Sequence, residues 1–232
     1  MGSSSCGAFE TSSPYVLKPQ AHSSHSLVLQ LLPENGHGMR LLDVGCADGY
    51  LSRLFAARGF SVTAIDAPGS RERDLPSGIE FFEADLDRGL PLLDGVFDFV
   101  VCADILEHLR DPEVFLRQIR AKMPAGGMLI ASLPNSGNVY FRVNVFLGKF
   151  PQHDRGLFDR THLHFYMWQG WNDLLSRSGF RIMAVRPSVI PFCLAMPEHP
   201  GIGAALESAY SVAARVWRTL FAYQFVVVAE LV

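Results

Sequence analysis

The sequence predicts an α/β protein built on a doubly wound, mostly parallel sheet with helices on both faces. Short apolar runs alternate with helical patterns, which is typical of parallel βαβ units. One run leads into the segment 43–49, Asp-Val-Gly-Cys-Ala-Asp-Gly, where glycines allow a tight turn close to a ligand before a helix begins. The chain has 232 residues, of which 19% are charged, and this favours a globular protein with one core. Its net charge of -3 argues against a basic surface for nucleic acid.

Four apolar runs in the first half of the chain predict strands at residues 39–44, 61–66, 79–83 and 97–102. A helix is predicted before them at 23–32, since Ser23 or Ser24 can cap its first turn. A second helix at 50–58 follows the glycine-containing segment and ends at Gly59. The alternation of strands with helices predicts parallel strand–helix–strand units.

The second half continues the pattern from a helix start at Asp111-Pro112, which combines a capping side chain with proline at the first helical position. This helix runs to residue 122, with Val114, Phe115 and Ile119 facing inward. Further strands are expected at 128–133, 180–185 and 224–232, with a helix at 203–219. We expect a flexible tail at residues 1–22 and a single domain at residues 23–232.

Residues 134–166 form a connection that is longer than ordinary links between elements. The segment is rich in aromatic and apolar side chains. Long ordered insertions at the ligand side of a sheet often serve as lids or substrate walls. A helical cover that only shields the core would have the same composition, so both interpretations remain open.

Three acidic residues end three successive predicted strands, and their position indicates the kind of ligand. Asp43 would repel a pyrophosphate and suits a ligand with an ammonium group, such as the methionine half of S-adenosylmethionine. Asp66 is placed to accept hydrogen bonds from ribose hydroxyls, and Asp85, with Leu86 beside it, from an adenine amine. The G-x-G-x-x-G fingerprint of dinucleotide-binding proteins lacks its third glycine here.

From about Leu29 to Val232 the chain resembles the class I S-adenosylmethionine-dependent methyltransferases. The motifs that carry this resemblance are segments 42–49, 84–86 and 97–109, with the strand-end Asp66. Segment 97–109 is similar to the methyltransferases of ubiquinone and menaquinone biosynthesis. The resemblance implies a seven-stranded sheet of order 3-2-1-4-5-7-6 with the last strand antiparallel. Segment 67–78 departs from the family, because it is short and polar where a helix is usual.

The resemblance also implies which residues contact S-adenosylmethionine. The glycine loop would wrap the methionine moiety, and the start of the loop after strand four would flank the sulfonium. The strand ends would hold the ribose and adenine. The predicted cofactor-binding residues are Asp43, Gly45, Cys46, Ala47, Gly49, Asp66, Ala67, Ala84, Asp85, Leu86, Cys102, Ala103 and Asp104.

Catalysis of methyl transfer to a hydroxyl calls for a base, and we predict His108 and His162 for this role. His164 is a third candidate, and each of these histidines could instead serve packing. Asp104, Glu107, His108 and His162 also resemble the E-x-x-E-H and later histidine of metal-dependent small-RNA 2′-hydroxyl methyltransferases. We predict no metal, and a divalent cation held by these four residues remains the alternative.

The predicted function is methyl transfer from S-adenosylmethionine to a small-molecule acceptor, with an oxygen as the preferred target. The alternatives are an NAD-type oxidoreductase and a cofactor-binding scaffold without catalytic activity. The sequence has four cysteines without metal-binding spacing and no export signal, which predicts a cytoplasmic protein. It has no long apolar run, so we expect no membrane span. We expect no nucleic-acid partner, and a homodimer is compatible with the sequence.

Overall fold

A computed structural model describes residues 22–69, 75–190, 192 and 198–232. The predicted tail, apart from His22, therefore lies outside the described residues, as do Cys6 and Cys193. Within the described ranges seven strands form one sheet of order β3-β2-β1-β4-β5-β7-β6. This confirms the predicted strand order.

The strands are β1 (Arg40–Val44), β2 (Ser61–Asp66), β3 (Ile79–Glu83), β4 (Phe99–Ala103), β5 (Met128–Pro134), β6 (Phe180–Pro187) and β7 (Gln224–Leu231). The helices are α1 (Ser24–Leu31), α2 (Tyr50–Ala57), α3 (Pro112–Ala121), α4 (Val139–Phe146), α5 (Trp168–Arg177), α6 (Pro200–Val216) and α7 (Arg218–Phe221). Short 3-10 helices occupy Leu86–Arg88 and Leu106–His108. Strand β7 runs antiparallel to β5 and β6, whereas the other neighbours are parallel, as predicted.

The sheet buries two separate apolar layers because successive side chains of a strand point to opposite faces. Leu42 and Val100 belong to the layer under α3 and α5, whereas Leu41 and Val101 belong to the layer under α1 and α2. The alternation confirms the doubly wound arrangement. It also places the carboxyl ends of β1, β2, β4 and β5 at one edge, where ligands bind in such sheets.

Two predicted details of the helices were wrong. Val114 is 44% exposed, whereas Phe115, Leu116 and Ile119 are buried. These three residues have the i, i+1, i+4 spacing of one helix face, which packs on the sheet, and Val114 lies outside this buried face. The helix expected at 203–219 is interrupted at Trp217, whose φ of -134° and ψ of 71° are not helical, so it forms α6 and α7.

The insertion at residues 134–166 contains α4 and is anchored by one aromatic cluster. The rings of Phe141 and Phe158 stack with centroids 4.4 Å apart, and Leu157 and Tyr223 pack against them. Most of the other side chains of α4 are exposed, and Phe146 is 90% exposed. In the described part of the chain, no helix has both the length and the apolar character that a membrane crossing would need.

Candidate active site

A glycine loop joins β1 to α2 at the carboxyl edge of the sheet. Gly45 and Gly49 have φ values of 72° and 70°, in the left-handed region that glycine adopts at little cost. The N–H groups of Gly45 and Cys46 donate to the carbonyl of Ile65 at the end of β2. A Cβ atom on Gly45 would lie 2.9 Å from the side chain of Ile105, so this contact also requires glycine.

Asp66, at the end of β2, binds the glycine loop directly. Its Oδ2 accepts a hydrogen bond from the Ala47 N–H at 2.6 Å, and its Oδ1 accepts from the Ala67 N–H at 2.6 Å. These contacts stabilise a turn in which Ala47 itself has a positive φ of 47°. The predicted ribose contact of Asp66 stays a prediction, and its position at the loop is compatible with that role.

Asp43 lies deeper than the loop and faces α2. Its carboxylate is 1% exposed and accepts a hydrogen bond from the Ser52 hydroxyl at 2.5 Å. Burial raises the pKa of Asp43 to about 7, with a further increase from the charge of Asp66 and an opposing effect of the Ser52 bond. The contact in the structure therefore joins β1 to α2, and the predicted contact with a ligand ammonium group stays a prediction.

A pocket of about 150 Å³ lies at the ends of β2 and β3. Its lining includes the apolar residues Ile105 and Leu109 together with acidic residues, so it combines apolar surface with hydrogen-bond acceptors. Asp85 caps the following 3-10 helix by accepting from the Asp87 N–H at 3.1 Å. The pocket brings together five predicted cofactor residues, namely Asp66, Ala67, Ala84, Asp85 and Leu86.

The end of β4 has a buried cysteine, and the loop after it begins with a strained aspartate. Cys102 is 0% exposed, and burial raises the pKa of its thiol. Its side chain lies in the core under α3 and α5, so only its backbone can border a ligand. Asp104 has a φ of 56°, and its Oδ1 accepts hydrogen bonds from the Ser132 hydroxyl and, at 2.7 Å, from Gln224 Nε2.

The two predicted catalytic histidines meet Glu107 at the same edge. The rings of His108 and His162 have centroids 4.7 Å apart, and His162 Nε2 lies 3.8 Å from Glu107 Oε1. The side chains of His162 and Glu107 are 6% and 1% exposed. Burial lowers the pKa of His162 to about 4, reinforced by His108 and opposed by Asp159 and Asp104. His162 is therefore neutral near pH 7, as a proton acceptor has to be, and the lowered pKa makes it a weaker base than a free imidazole.

The insertion delivers His162 through backbone and side-chain bonds to the segment after β4. The N–H groups of Leu163 and His164 donate to the carbonyl of Glu107. His108 Nδ1 lies 3.0 Å from the Thr161 hydroxyl, which donates its own proton to Asp159. His108 also lies 3.2 Å from the Thr161 carbonyl, an acceptor. Nδ1 must therefore carry the proton, which leaves Nε2 as the basic nitrogen of a neutral ring.

His164 has a structural role in this arrangement. Its Nε2 lies 2.9 Å from the carbonyl of Leu109, and its ring stacks on Tyr166 at 5.4 Å. A carbonyl only accepts, so the proton of His164 is committed to this bond. Of the three candidate bases, His164 is thus the one that the structure assigns to packing.

A divalent cation fits part of the predicted metal constellation. Glu107, His108 and His162 each offer one ligand atom, and these atoms lie within 4.8 Å of one another. Two imidazoles and a carboxylate form an accepted donor set for zinc or related ions. Asp104 is not part of this group among the described residues, and its Oδ1 accepts hydrogen bonds from Ser132 and Gln224. The prediction of a site without metal therefore stays open to test.

Four residues of this edge were missed by sequence reasoning: His25, Tyr50, Ser132 and Gln224. The Tyr50 hydroxyl lies 3.1 Å from His25 Nε2. Burial and then the charges of Asp104 and Asp43 raise the pKa of Tyr50 well above its ordinary value, so its hydroxyl stays protonated. Only Tyr50 had a signal, its position directly after Gly49. The other three come from elements distant in the chain.

The sheet order, the glycine loop and the acidic strand ends define a class I S-adenosylmethionine-dependent methyltransferase fold. A family model described as a methyltransferase domain matches residues 19–185, and the chain belongs to this family. The chain is therefore a methyltransferase domain, as predicted, and membership of this family implies S-adenosylmethionine as the cofactor. Family membership disfavours the alternative of an NAD-type oxidoreductase.

Curated relatives include ubiquinone biosynthesis O-methyltransferases. The protein from Caulobacter sp. (strain K31) is 35% identical over 105 residues, which are 42% of this chain and 42% of the relative. The protein from Xanthomonas euvesicatoria pv. vesicatoria is 37% identical over 118 residues, which are 47% of this chain and 48% of the relative. The chain thus spans less than half the length of these relatives.

Solved structures share the fold over most of the chain. A methyltransferase from Mesorhizobium loti has a TM-score of 0.59 and 21% identity, and the match covers 90% of this chain and 98% of that one. Magnesium protoporphyrin IX methyltransferase from Synechocystis PCC 6803, with bound S-adenosylhomocysteine, has a TM-score of 0.59 and 18% identity, and covers 90% and 82%. At such identities the likeness supports the fold and not a substrate.

Proposed function

We propose that the enzyme transfers the methyl group of S-adenosylmethionine to a hydroxyl oxygen of a small-molecule acceptor, with His162 as the proton acceptor. The observation that carries this proposal is a neutral, buried imidazole next to the Glu107 carboxylate, at the sheet edge that holds the glycine loop. The printed name of the curated relatives, O-methyltransferase, supports oxygen as the target.

The chemistry asks little of the protein beyond alignment and a proton acceptor. S-adenosylmethionine supplies an activated methyl group. The acceptor oxygen forms a bond to the methyl carbon as the carbon–sulfur bond breaks, and the electron pair of that bond remains on sulfur. The hydroxyl proton passes to His162, and Glu107 stabilises the resulting imidazolium. His108, oriented by Thr161, lies edge-on to His162 and restricts its ring.

Aromatic side chains of the insertion support an acceptor with an aromatic or apolar part. Phe165 lies 6.1 Å from the His162 ring, and Phe150 lies 5.3 Å from Phe165. Both are partly open to solvent, at 38% and 51% exposure. They form a wall beside the proposed base. A sugar hydroxyl is the second acceptor class, since such rings also border carbohydrates.

The test is methyl transfer from labelled S-adenosylmethionine to a panel of small phenols, catechols and sugars. With the best acceptor, His162→Gln should lower kcat by about 10²- to 10⁴-fold, the usual contribution of a general base. Affinity for S-adenosylhomocysteine should be unchanged. His37→Asn, an exposed histidine distant from the edge, is the matched control. An unaltered kcat in His162→Gln would reject the role of His162.

A further inference from the structure

Asp104 is fixed by two side chains that come from other strands. Its φ of 56° is unusual for a residue with a side chain and costs conformational energy. The Asp104 N–H donates to Ser132 Oγ at 2.9 Å, and the Ser132 hydroxyl donates back to Oδ1. Gln224 Nε2 donates to the same oxygen at 2.7 Å. Ser132 and Gln224 are buried, at 0% and 7% exposure, so these bonds are shielded from water.

The position of Asp104 lies between the glycine loop and the proposed base. Strands β1 and β4 are neighbours, with Val44 paired to Cys102. The side chain of Ile105, the residue after Asp104, contacts the Gly45 position of the loop. On the other side, the charge of Asp104 acts on His162 and opposes the lowering of its pKa. The methyl group must pass between the loop and the base, so the donor sulfur belongs in this gap.

We propose that Ser132 and Gln224 are positioning residues that hold the Asp104 carboxylate toward the sulfonium, so that the site prefers the cationic methyl donor to its product. S-adenosylmethionine has a positive sulfur, whereas the sulfur of S-adenosylhomocysteine is neutral. The adenosine, amino and carboxylate groups of the two molecules are the same. A partly buried carboxylate attracts the cationic sulfur and has no such attraction for a thioether. Loss of the charge on transfer therefore weakens binding and promotes product release.

The proposal rests on the proposed function, because the place of the donor sulfur is inferred from the base at His162, but its test measures cofactor binding alone and needs no acceptor. The experiment is calorimetric titration of the full chain with S-adenosylmethionine, S-adenosylhomocysteine and sinefungin, which carries an amine in place of the methylated sulfur. The variants are Ser132→Ala, Gln224→Met and Asp104→Asn. Methionine matches the length of glutamine without its amide donor. The Gln224 backbone N–H still donates to Ser188 Oγ, so the start of β7 is preserved.

In each variant we expect the Kd for S-adenosylmethionine and sinefungin to rise about five- to tenfold more than the Kd for S-adenosylhomocysteine. Ser178→Ala is the matched control, because Ser178 is also buried and donates to the Leu174 carbonyl on α5. It should lower thermal stability to a similar extent and leave the ratio of the Kd values unchanged.

Two results would overturn the proposal. Equal losses for all three ligands would show that Asp104 binds a group they share, such as the amino acid part. Unchanged affinity for S-adenosylmethionine in Asp104→Asn would show that the carboxylate does not face the donor. Failure of His162→Gln to affect turnover would leave this result intact, because binding is measured without an acceptor.

Discussion

His162 Nε2 lies 3.8 Å from a carboxylate oxygen of Glu107, and both side chains are buried. One residue comes from the insertion and the other from the 3-10 helix after β4. The backbone bonds from Leu163 and His164 to the Glu107 carbonyl hold the two segments together. The burial of this imidazole has a defined consequence for the pH dependence of stability.

Stability of the wild-type protein should fall between pH 7 and pH 5 in part because of His162. Its pKa is about 4 in the folded protein, against an ordinary value of 6.5, so the unfolded state binds more protons between these values. The contribution of neutral His162 is complete above about pH 6.5 and is lost as the pH falls through 4. Urea unfolding gives the free energy of unfolding at pH 7 and at pH 5. Between these two pH values, it should decrease by about 1–2 kcal/mol less in His162→Gln than in the wild type. His37→Asn should behave like the wild type, and equal losses in all three proteins would contradict the prediction.

Asp43 should produce a pH dependence of opposite sign. Its pKa is raised to about 7 in the folded protein, so the folded state binds more protons than the unfolded state between about pH 4 and 7. The stability from protonated Asp43 is complete below about pH 4 and is lost as the pH rises through 7. Between pH 4.5 and 7.5, this effect should lower the free energy of unfolding of the wild type by an amount on the order of 1–4 kcal/mol. Asp43→Asn should not show this decrease when urea unfolding is measured at the two pH values. Asp94→Asn, at an exposed position, is the control, and a wild-type slope in Asp43→Asn would refute the assignment.

Asp66→Ala should weaken the binding of S-adenosylhomocysteine by about 1–3 kcal/mol. The substitution removes the acceptor of the Ala47 N–H and the predicted partner of the ribose hydroxyls. Calorimetric titration measures the change, with Asp94→Ala as the exposed control. If the dissociation constant stays the same, the ribose does not lie at Asp66 and the glycine loop does not need this bond.

Removal of divalent ions should leave activity unchanged, in line with the prediction of a site without metal. Protein treated with a chelator would be assayed before and after addition of magnesium, manganese or zinc, together with metal analysis. Glu107, His108 and His162 form the only cluster of this kind found among the residues the structure describes. Activity that disappears with the chelator and returns with one ion would instead establish a metal at this cluster, and Glu107→Gln should then lose the bound ion.

Most of the fold and of the cofactor loop could be predicted from local patterns. Strand β2 and strand β3 have the predicted bounds, because each is a short stretch with β-branched or aromatic residues that turn residues border. The loop between Gly45 and Gly49 follows from conformations that only glycine adopts easily. Val114 was misplaced because neighbouring apolar residues on a short helix leave its inward face ambiguous until the partner layer is known.

By itself, the sequence determined the class of fold, the order of elements and the methyl donor, because these depend on periodicity, on glycine conformation and on acids at strand ends. Only the tertiary structure decided what surrounds the reacting centre. Gln224 reaches Asp104 across the sheet edge, and the insertion brings His162 back to Glu107. These contacts join residues far apart in the chain, and their geometry comes from strand order and core packing, which no local pattern records.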